Sequence, residues 1–300
     1  MATAIETTMN YYLDPFKGGT HGGFGTVGVL RRKFDTHSIR ITDLRGLEDQ
    51  FDIHTHSFQA SKWKPSITSL DPDDIKRIVF PEVEEFVKKI TNATRVHCFS
   101  HLVRQNTVET NLEALKKLEA SRGKDNILDN EGLGNPVPAR YAHVDQSAKG
   151  ARSLLNYHFP EEAERLTKTR WGTVNLWRPI QTIRRDPLCF CDGKSISDED
   201  LVPLHTAPPP NSNVKYYSSI PRDGFQTLEV RASPKHEWYY ISEMQPNEAL
   251  IFKCYDSKDT SRNRCCHSSF GLPDTAHTAP RESMEFRFFV FYEDEPLHGI

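Results

Sequence analysis

The chain has 300 residues, 37% hydrophobic and 26% charged, enough to build one sizeable core. Its formal net charge of −3, with 38 Lys and Arg against 41 Asp and Glu, excludes the basic surface that nucleic acid or an anionic membrane calls for. No stretch is apolar for the length of a bilayer span, and MATAIETTMN lacks a basic segment ahead of an apolar run, so the expectation is a soluble, cytoplasmic protein without nucleic-acid or membrane partners.

Taken in order, the chain opens on a Gly-rich stretch, FKGGTHGGFGTVG. It lacks the G-x-G-x-x-G turn or Lys-Ser/Thr ending that would cradle a phosphate. It reads as an extended arm leading to a short strand at Val27–Leu30, with His21 facing solvent. Asp52, His54 and His56 would share one face if extended, which makes D-x-H-x-H a rival metal site. The clearest helix lies within 71–92. Asp71 is an N-cap candidate, Pro72 sits at its first position, and Val83, Phe86, Val87 and Ile90 form an apolar stripe; Pro81 should kink or split it. Arg95–His101 alternates like a strand, with His97 and His101 expected on the face of Phe99.

A polar helix and a loop follow over 110–130, and two helices over 147–170. From Trp171 onward, strands are predicted at TVNLWRPI, PLCFC, VKYYSSI, TLEVRA, HEWYYISEM, ALIFKCYD, RNRCCHSSF and RESMEFRFFVFYED. Helices thus crowd the first half and short strands fill the second. There is no βαβ alternation, no repeat and no clear linker. The pattern is that of a mainly β sandwich or jelly roll with helical cover, in one domain. The six cysteines form no C-x-x-C and read as free thiols.

The chemistry centres on Arg140-Tyr141-Ala142-His143-Val144-Asp145-Gln146. His143 and Asp145 stand two apart, so on a strand an imidazole and a carboxylate point into one volume. One more His would complete a 2-His-1-carboxylate set for a divalent first-row metal, with coordination positions left open. The candidates are His205, His236, His267, His277 and His298. Downstream, Arg281 and Ser283 are two apart on the last strand, where a guanidinium fork and a hydroxyl can grip a carboxylate. His277 stands too close to Arg281 to serve easily beside it. Glu285 and Arg287 continue the same face and are expected to pair with each other or with neighbours; Arg287 is the alternative carboxylate anchor.

The order H-x-D, His, R-x-S is that of the Fe(II)/2-oxoglutarate dioxygenases. The segments ITDLRGLEDQF, FPEVEEFVKKITNATRV, ARYAHVDQSAKGA, VNLWRPI, PLCFCD, LIFKCYDS and PRESMEFRFFVFYE carry the likeness further. The chain resembles the fungal hydroxylase/desaturase family that includes gibberellin desaturases and relatives of the cephalosporin 7α-methoxylase subunit. The resemblance implies a double-stranded β-helix (jelly roll, cupin-like) over about 96–295, with residues 1–95 as N-terminal arm and helical cover. It implies Fe(II) held by His143, Asp145 and His267, and 2-oxoglutarate gripped by Arg281 with Ser283. Asn175 and Trp177 would wall the co-substrate. With O2, such an enzyme oxidises an unactivated C–H bond of a small molecule in secondary metabolism, by hydroxylation, desaturation or ring closure, releasing succinate and CO2. Arg104, Arg178, Trp238, Tyr240 and Phe270 are the candidates to touch an amino-acid, terpenoid or polyketide substrate, with ordinary packing as the competing reading for each. The alternative class is a cupin-like metal protein, a sensor or isomerase, which has no use for an R-x-S anchor. A Ser hydrolase lacks its G-x-S-x-G.

Overall fold

In a computed structural model, residues 3–23, 25–210, 215–258 and 264–297 are described. Their strands are β1 (Ala4–Tyr11), β2 (Asp35–Asp43), β3 (Phe58–Lys62), β4 (Arg95–Arg104), β5 (His143–Val144), β6 (Thr169–Pro179), β7 (Leu188–Cys191), β8 (Leu201–Thr206), β9 (Phe225–Val230), β10 (Trp238–Tyr240), β11 (Glu248–Asp256), β12 (His267–Ser269) and β13 (Ser283–Pro296). They form an eight-stranded sheet, β1-β2-β10-β7-β12-β5-β9-β8, and a five-stranded sheet, β3-β11-β6-β13-β4. The two curl face to face as a double-stranded β-helix.

Alternation on the central strands of the smaller sheet explains both of its faces. On β13, Met284, Phe286, Phe288, Val290 and Tyr292 point outward, and on β6 so do Val174 and Leu176. They pack under the helix Phe80–Thr91, whose Val83 and Val87 are fully buried. Burying one such side chain contributes roughly 1.5–3 kcal/mol. That helix is the third piece of the predicted 71–92 element. Asp71 caps the first piece by accepting from the backbone N–H groups of Asp73 and Asp74. A π turn over Ile75–Val79 then precedes Pro81. A proline clashes with the carbonyl four residues back, and widening the turn there relieves the clash.

Several expectations are corrected. Val27–Arg31 is a short helix, because Val27 and Gly28 donate their N–H groups to the Glu131 and Asp129 carbonyls, a tertiary pairing with no local sequence signal. The Gly-rich stretch follows an ordered strand, since β1 pairs along β2 in the larger sheet. VKYYSSI is not a strand: Lys215–Ser219 form a 3-10 turn, and Val214 lies outside the described residues. His54 and His56 lie in the helical turn Ile53–His56, where Asp52 accepts from the N–H groups of His54 and Thr55. A helix N-cap uses up that carboxylate, so the extended D-x-H-x-H face does not form.

On β4, Arg287 pairs with Ser100 but Phe288 with Cys98, which leaves Phe99 as a bulge. The face therefore flips. His97 packs on Phe159 while His101 packs on Phe80 and Phe286 on the helical side, not on the face of Phe99. The same bulge turns Leu102 and Arg104 into the interior, where they line a cavity.

After Asp145 the chain enters the helix Ala148–His158, with Ser147 as N-cap accepting from Gly150 N–H at 3.0 Å. Gly150 lies so close to β9 that a Cβ there would sit 1.8 Å from the Gln226 carbonyl oxygen. Gly150→Ala should therefore push this helix off β9 and cost about 1–3 kcal/mol, as overpacking does. Urea denaturation checks this; a variant as stable as the parent would show that the contact yields.

Candidate metal centre

β5 is only two residues long, and its neighbours define it. His143 stands opposite His267 on β12 and opposite Glu229 on β9. This register brings the two imidazoles to 4.4 Å between ring centres. Asp145, one residue past the strand, places Oδ1 3.4 Å from His143 Nε2 and 3.7 Å from His267 Nε2. One donor atom from each of the three lies within 4.8 Å of the others.

The backbone orients both rings. His143 Nδ1 lies 2.8 Å from the Tyr141 carbonyl and His267 Nδ1 3.2 Å from the Cys265 carbonyl. A carbonyl only accepts, so each Nδ1 carries the proton and each Nε2 lone pair faces Asp145. The smaller sheet takes the other carboxylate oxygen. Asp145 Oδ2 accepts from Asn175 Nδ2 on β6 and from Arg287 Nε on β13, both at 2.9 Å. Burial opposes ionisation of Asp145, but the Arg287 guanidinium beside it holds its carboxyl well below the usual range. Two neutral nitrogens and one carboxylate oxygen, with further space around them, suit a divalent first-row metal that keeps open positions.

A second group lies next to it. Arg281 is 4% exposed, and among the described residues no carboxylate comes within ion-pair distance of it. Its Nη1 donates to the Asp186 carbonyl at 2.8 Å and the Ser269 hydroxyl at 3.3 Å, and its guanidinium lies 5.5 Å from the Trp177 ring centre. Burial and the nearby Arg104 push its pKa down, the signature of a cation short of an anion. Among the described residues, Arg281 Nε and the Ser283 hydroxyl are buried without a hydrogen-bond partner. Arg287 differs: it is paired with Asp145 and with Glu285, the ion pair expected on that strand face.

Asp186 supports this pocket. It is fully buried in the left-handed region at φ 50°, its carbonyl receives Arg281, and its carboxylate takes Arg140 at 2.7 Å and Arg185 at 3.3 Å. Glu109, on the helix Val108–Arg122, bridges the same two arginines. Nothing in the RRDP segment signals this role. Nor does the sequence signal that Asn175 and Arg287 are the partners of Asp145.

Beside the metal centre lies a cavity of about 310 Å³, lined by His143 and Asp145 on one side and by Leu30, Phe34, Leu102 and Val137 among others. Of the residues expected to touch substrate, Arg104 lines it. Arg178 points out of the barrel and donates to the Pro246 carbonyl. Trp238 is core, donating to the Tyr11 hydroxyl, and Tyr240 packs edge-on against Phe270 away from the cavity. These three aromatics sit on or beside strands of the larger sheet, at positions that fill its core. Of the other histidines, His277 is exposed in a turn, His205 bonds to the Asp223 carbonyl, His236 pairs with Asp200, and His298 lies outside the described residues.

A family model described as "Oxidoreductase/YMDC permease-like domain" matches residues 10–291. No helix among the described residues is long and apolar enough to cross a membrane. The chain is 37% identical over 298 residues to the hydroxylase/desaturase CTB9 of Cercospora beticola, covering 97% of this chain and 87% of that protein. To the hydroxylase/desaturase efuI of Hormonema carpetanum it is 35% identical over 293 residues, covering 97% and 96%. Among solved structures, the iron and alpha-ketoglutarate-dependent endoperoxidase NvfI superposes with a TM-score of 0.74 at 26% identity, over 96% of this chain and 98% of that one.

Removing the Asp186 carboxylate leaves Arg140 and Arg185 without their buried partner. Asp186→Ala should cost on the order of 3 kcal/mol, from the broken pairs and from a left-handed backbone that Ala adopts poorly. Asp186→Asn, which tolerates that backbone, should cost less. Equal losses in chemical denaturation would refute the backbone share.

Proposed function

The chain belongs to the fungal hydroxylase/desaturase family of Fe(II)/2-oxoglutarate-dependent dioxygenases, and from that premise we propose that His143, Asp145 and His267 hold the iron while Arg281 and Ser283 take the distal carboxylate of 2-oxoglutarate. The observation that carries the second half is the buried Arg281 guanidinium, without a carboxylate partner and next to an unpartnered buried hydroxyl. A barrel with no anionic co-substrate would be better served there by an apolar side chain, because an uncompensated buried charge costs several kcal/mol. The same consideration argues against a cupin-like sensor or isomerase. Arg287 is the weaker anchor, since it already faces two carboxylates.

When bound, iron, 2-oxoglutarate and O2 together supply an oxidant for an unactivated C–H bond, with succinate and CO2 as co-products. The residues of the chain position and protect. The Tyr141 and Cys265 carbonyls keep both Nε2 lone pairs aimed at one point. Asn175 and Arg287 occupy Asp145 Oδ2 and so leave Oδ1 for the metal. Arg281 offers its fork over the Trp177 ring, and Ser283 adds one hydroxyl. The cavity beside His143 is where a small-molecule substrate would lie, and its walls would set which carbon faces the centre. Hydroxylation, desaturation and ring closure differ in that placement.

His143→Ala, Asp145→Ala and His267→Ala should each abolish Fe(II) binding under anaerobic titration with the fold intact by circular dichroism, whereas His277→Ala should bind iron normally. Arg281→Ala should raise KM for 2-oxoglutarate on the order of a hundredfold, the equivalent of about 3 kcal/mol, with iron binding unchanged. Arg281→Lys should recover only part of this, lacking the planar fork. A succinate assay with titrated 2-oxoglutarate reads the effect; wild-type KM in Arg281→Ala together with a raised KM in Arg287→Ala would move the anchor to Arg287.

A further inference from the structure

Among the described residues three arginines line the cavity beside the metal centre: Arg104, Arg140 and Arg287. Arg287 is held by Asp145 and Glu285, and Arg140 by Glu109 and Asp186. Arg104 is different. It donates to the Val137 carbonyl, and among the described residues it has no ion pair. It stands directly across from Ser283 in the β4–β13 register, and it lines both this cavity and the narrow pocket in front of Arg281. Its charge works against that of Arg281. Arg104 is half-buried and Arg281 buried, so the two neighbouring guanidinium groups offer places for two anions, and a single distal carboxylate on Arg281 occupies only one of them.

The remaining lining narrows what the second anion is attached to. Val29, Leu30, Phe34, Leu102, Val137 and Phe225 give apolar walls, and the volume of about 310 Å³ lies at the small end of ligand pockets, ~300–1,000 Å³. Among the described residues the one carboxylate lining this cavity is Asp145, already taken by Arg287 and Asn175 and facing the two imidazoles. An ammonium would therefore enter without a counter-charge. We propose that the substrate is a compact apolar carboxylic acid, with its carboxylate on Arg104 and its hydrocarbon frame in the cavity, and that the cavity disfavours amino acids. This rests on Arg281 being the 2-oxoglutarate anchor. Arg104 reaches the cavity-lining segment at Val137, which places its guanidinium on the substrate side of Ser283.

The test uses the Fe(II)-loaded protein with 2-oxoglutarate, held anaerobic, and reads ligand affinity by thermal shift and isothermal titration. The probes are decalin-2-carboxylic acid and 1-adamantanecarboxylic acid, their methyl esters, and the corresponding adamantyl amino acid. The acids should bind at least tenfold tighter than the esters and the amino acid. Arg104→Gln should erase that preference while 2-oxoglutarate affinity stays within twofold of wild type, and Arg104→Lys should restore part of it. The proposal is overturned if neither acid binds, if acid and ester bind alike, or if Arg104→Gln keeps the preference. It is also overturned if Arg104→Gln weakens 2-oxoglutarate tenfold, which would assign Arg104 to the co-substrate. Arg281→Ala, titrated with 2-oxoglutarate alone, keeps the two readings apart: unchanged affinity there refutes the anchor on its own terms, before any acid is added.

Discussion

The carboxylate of Asp145 ties the two sheets together at their shared interior. One oxygen faces two imidazoles on the larger sheet; the other is gripped by Asn175 and Arg287 on the smaller one. A buried carboxylate is costly unless its lone pairs are used and a cation stands close. Both conditions are met from other strands, by Asn175 30 positions and Arg287 142 positions along the chain, so the centre exists only when β5, β6, β12 and β13 are in register. The imidazoles, by contrast, are each oriented locally, by the carbonyl two residues earlier in the chain.

Around this point the charges fall into two kinds. Arg287, Glu285, Arg140, Asp186 and Glu109 are paired with one another or with Asp145 and serve as framework. Among the described residues Arg281 and Arg104 are not paired in this way, and both line the narrow pocket beside the metal centre. Proteins seldom leave a buried guanidinium without an anion, so the contrast separates framework from binding surface more cleanly than residue type does. Asp186 belongs to both: its carboxylate closes the framework and its carbonyl aims Arg281.

The outer layer has a simpler task. The apolar outward faces of β6, β11 and β13 need cover, and the helix Phe80–Thr91 supplies it. The π turn before Pro81 and the bulge at Phe99 are local irregularities with positional consequences. The first lets one amphipathic segment follow the sheet despite its proline; the second rotates the end of β4 so that Arg104 faces inward.

What the sequence by itself determined is whatever depends on short-range periodicity. The i, i+2 rule put His143 with Asp145, Asn175 with Trp177, and Ser283 with Glu285 and Arg287, because a strand's side chains alternate regardless of its neighbours. The helix within 71–92 was legible for the same reason, through its cap and its apolar stripe. The family resemblance added His267 to the set. The tertiary structure alone decided which partners those faces meet. It put Trp238, Tyr240 and Phe270 into the core of the larger sheet and Arg178 on the outside, sent Asp52 to cap a helix, and made Asp186 a hub. Sheet order, a one-residue bulge and a left-handed backbone position are set by contacts between segments far apart in the chain, and the local pattern carries no trace of them.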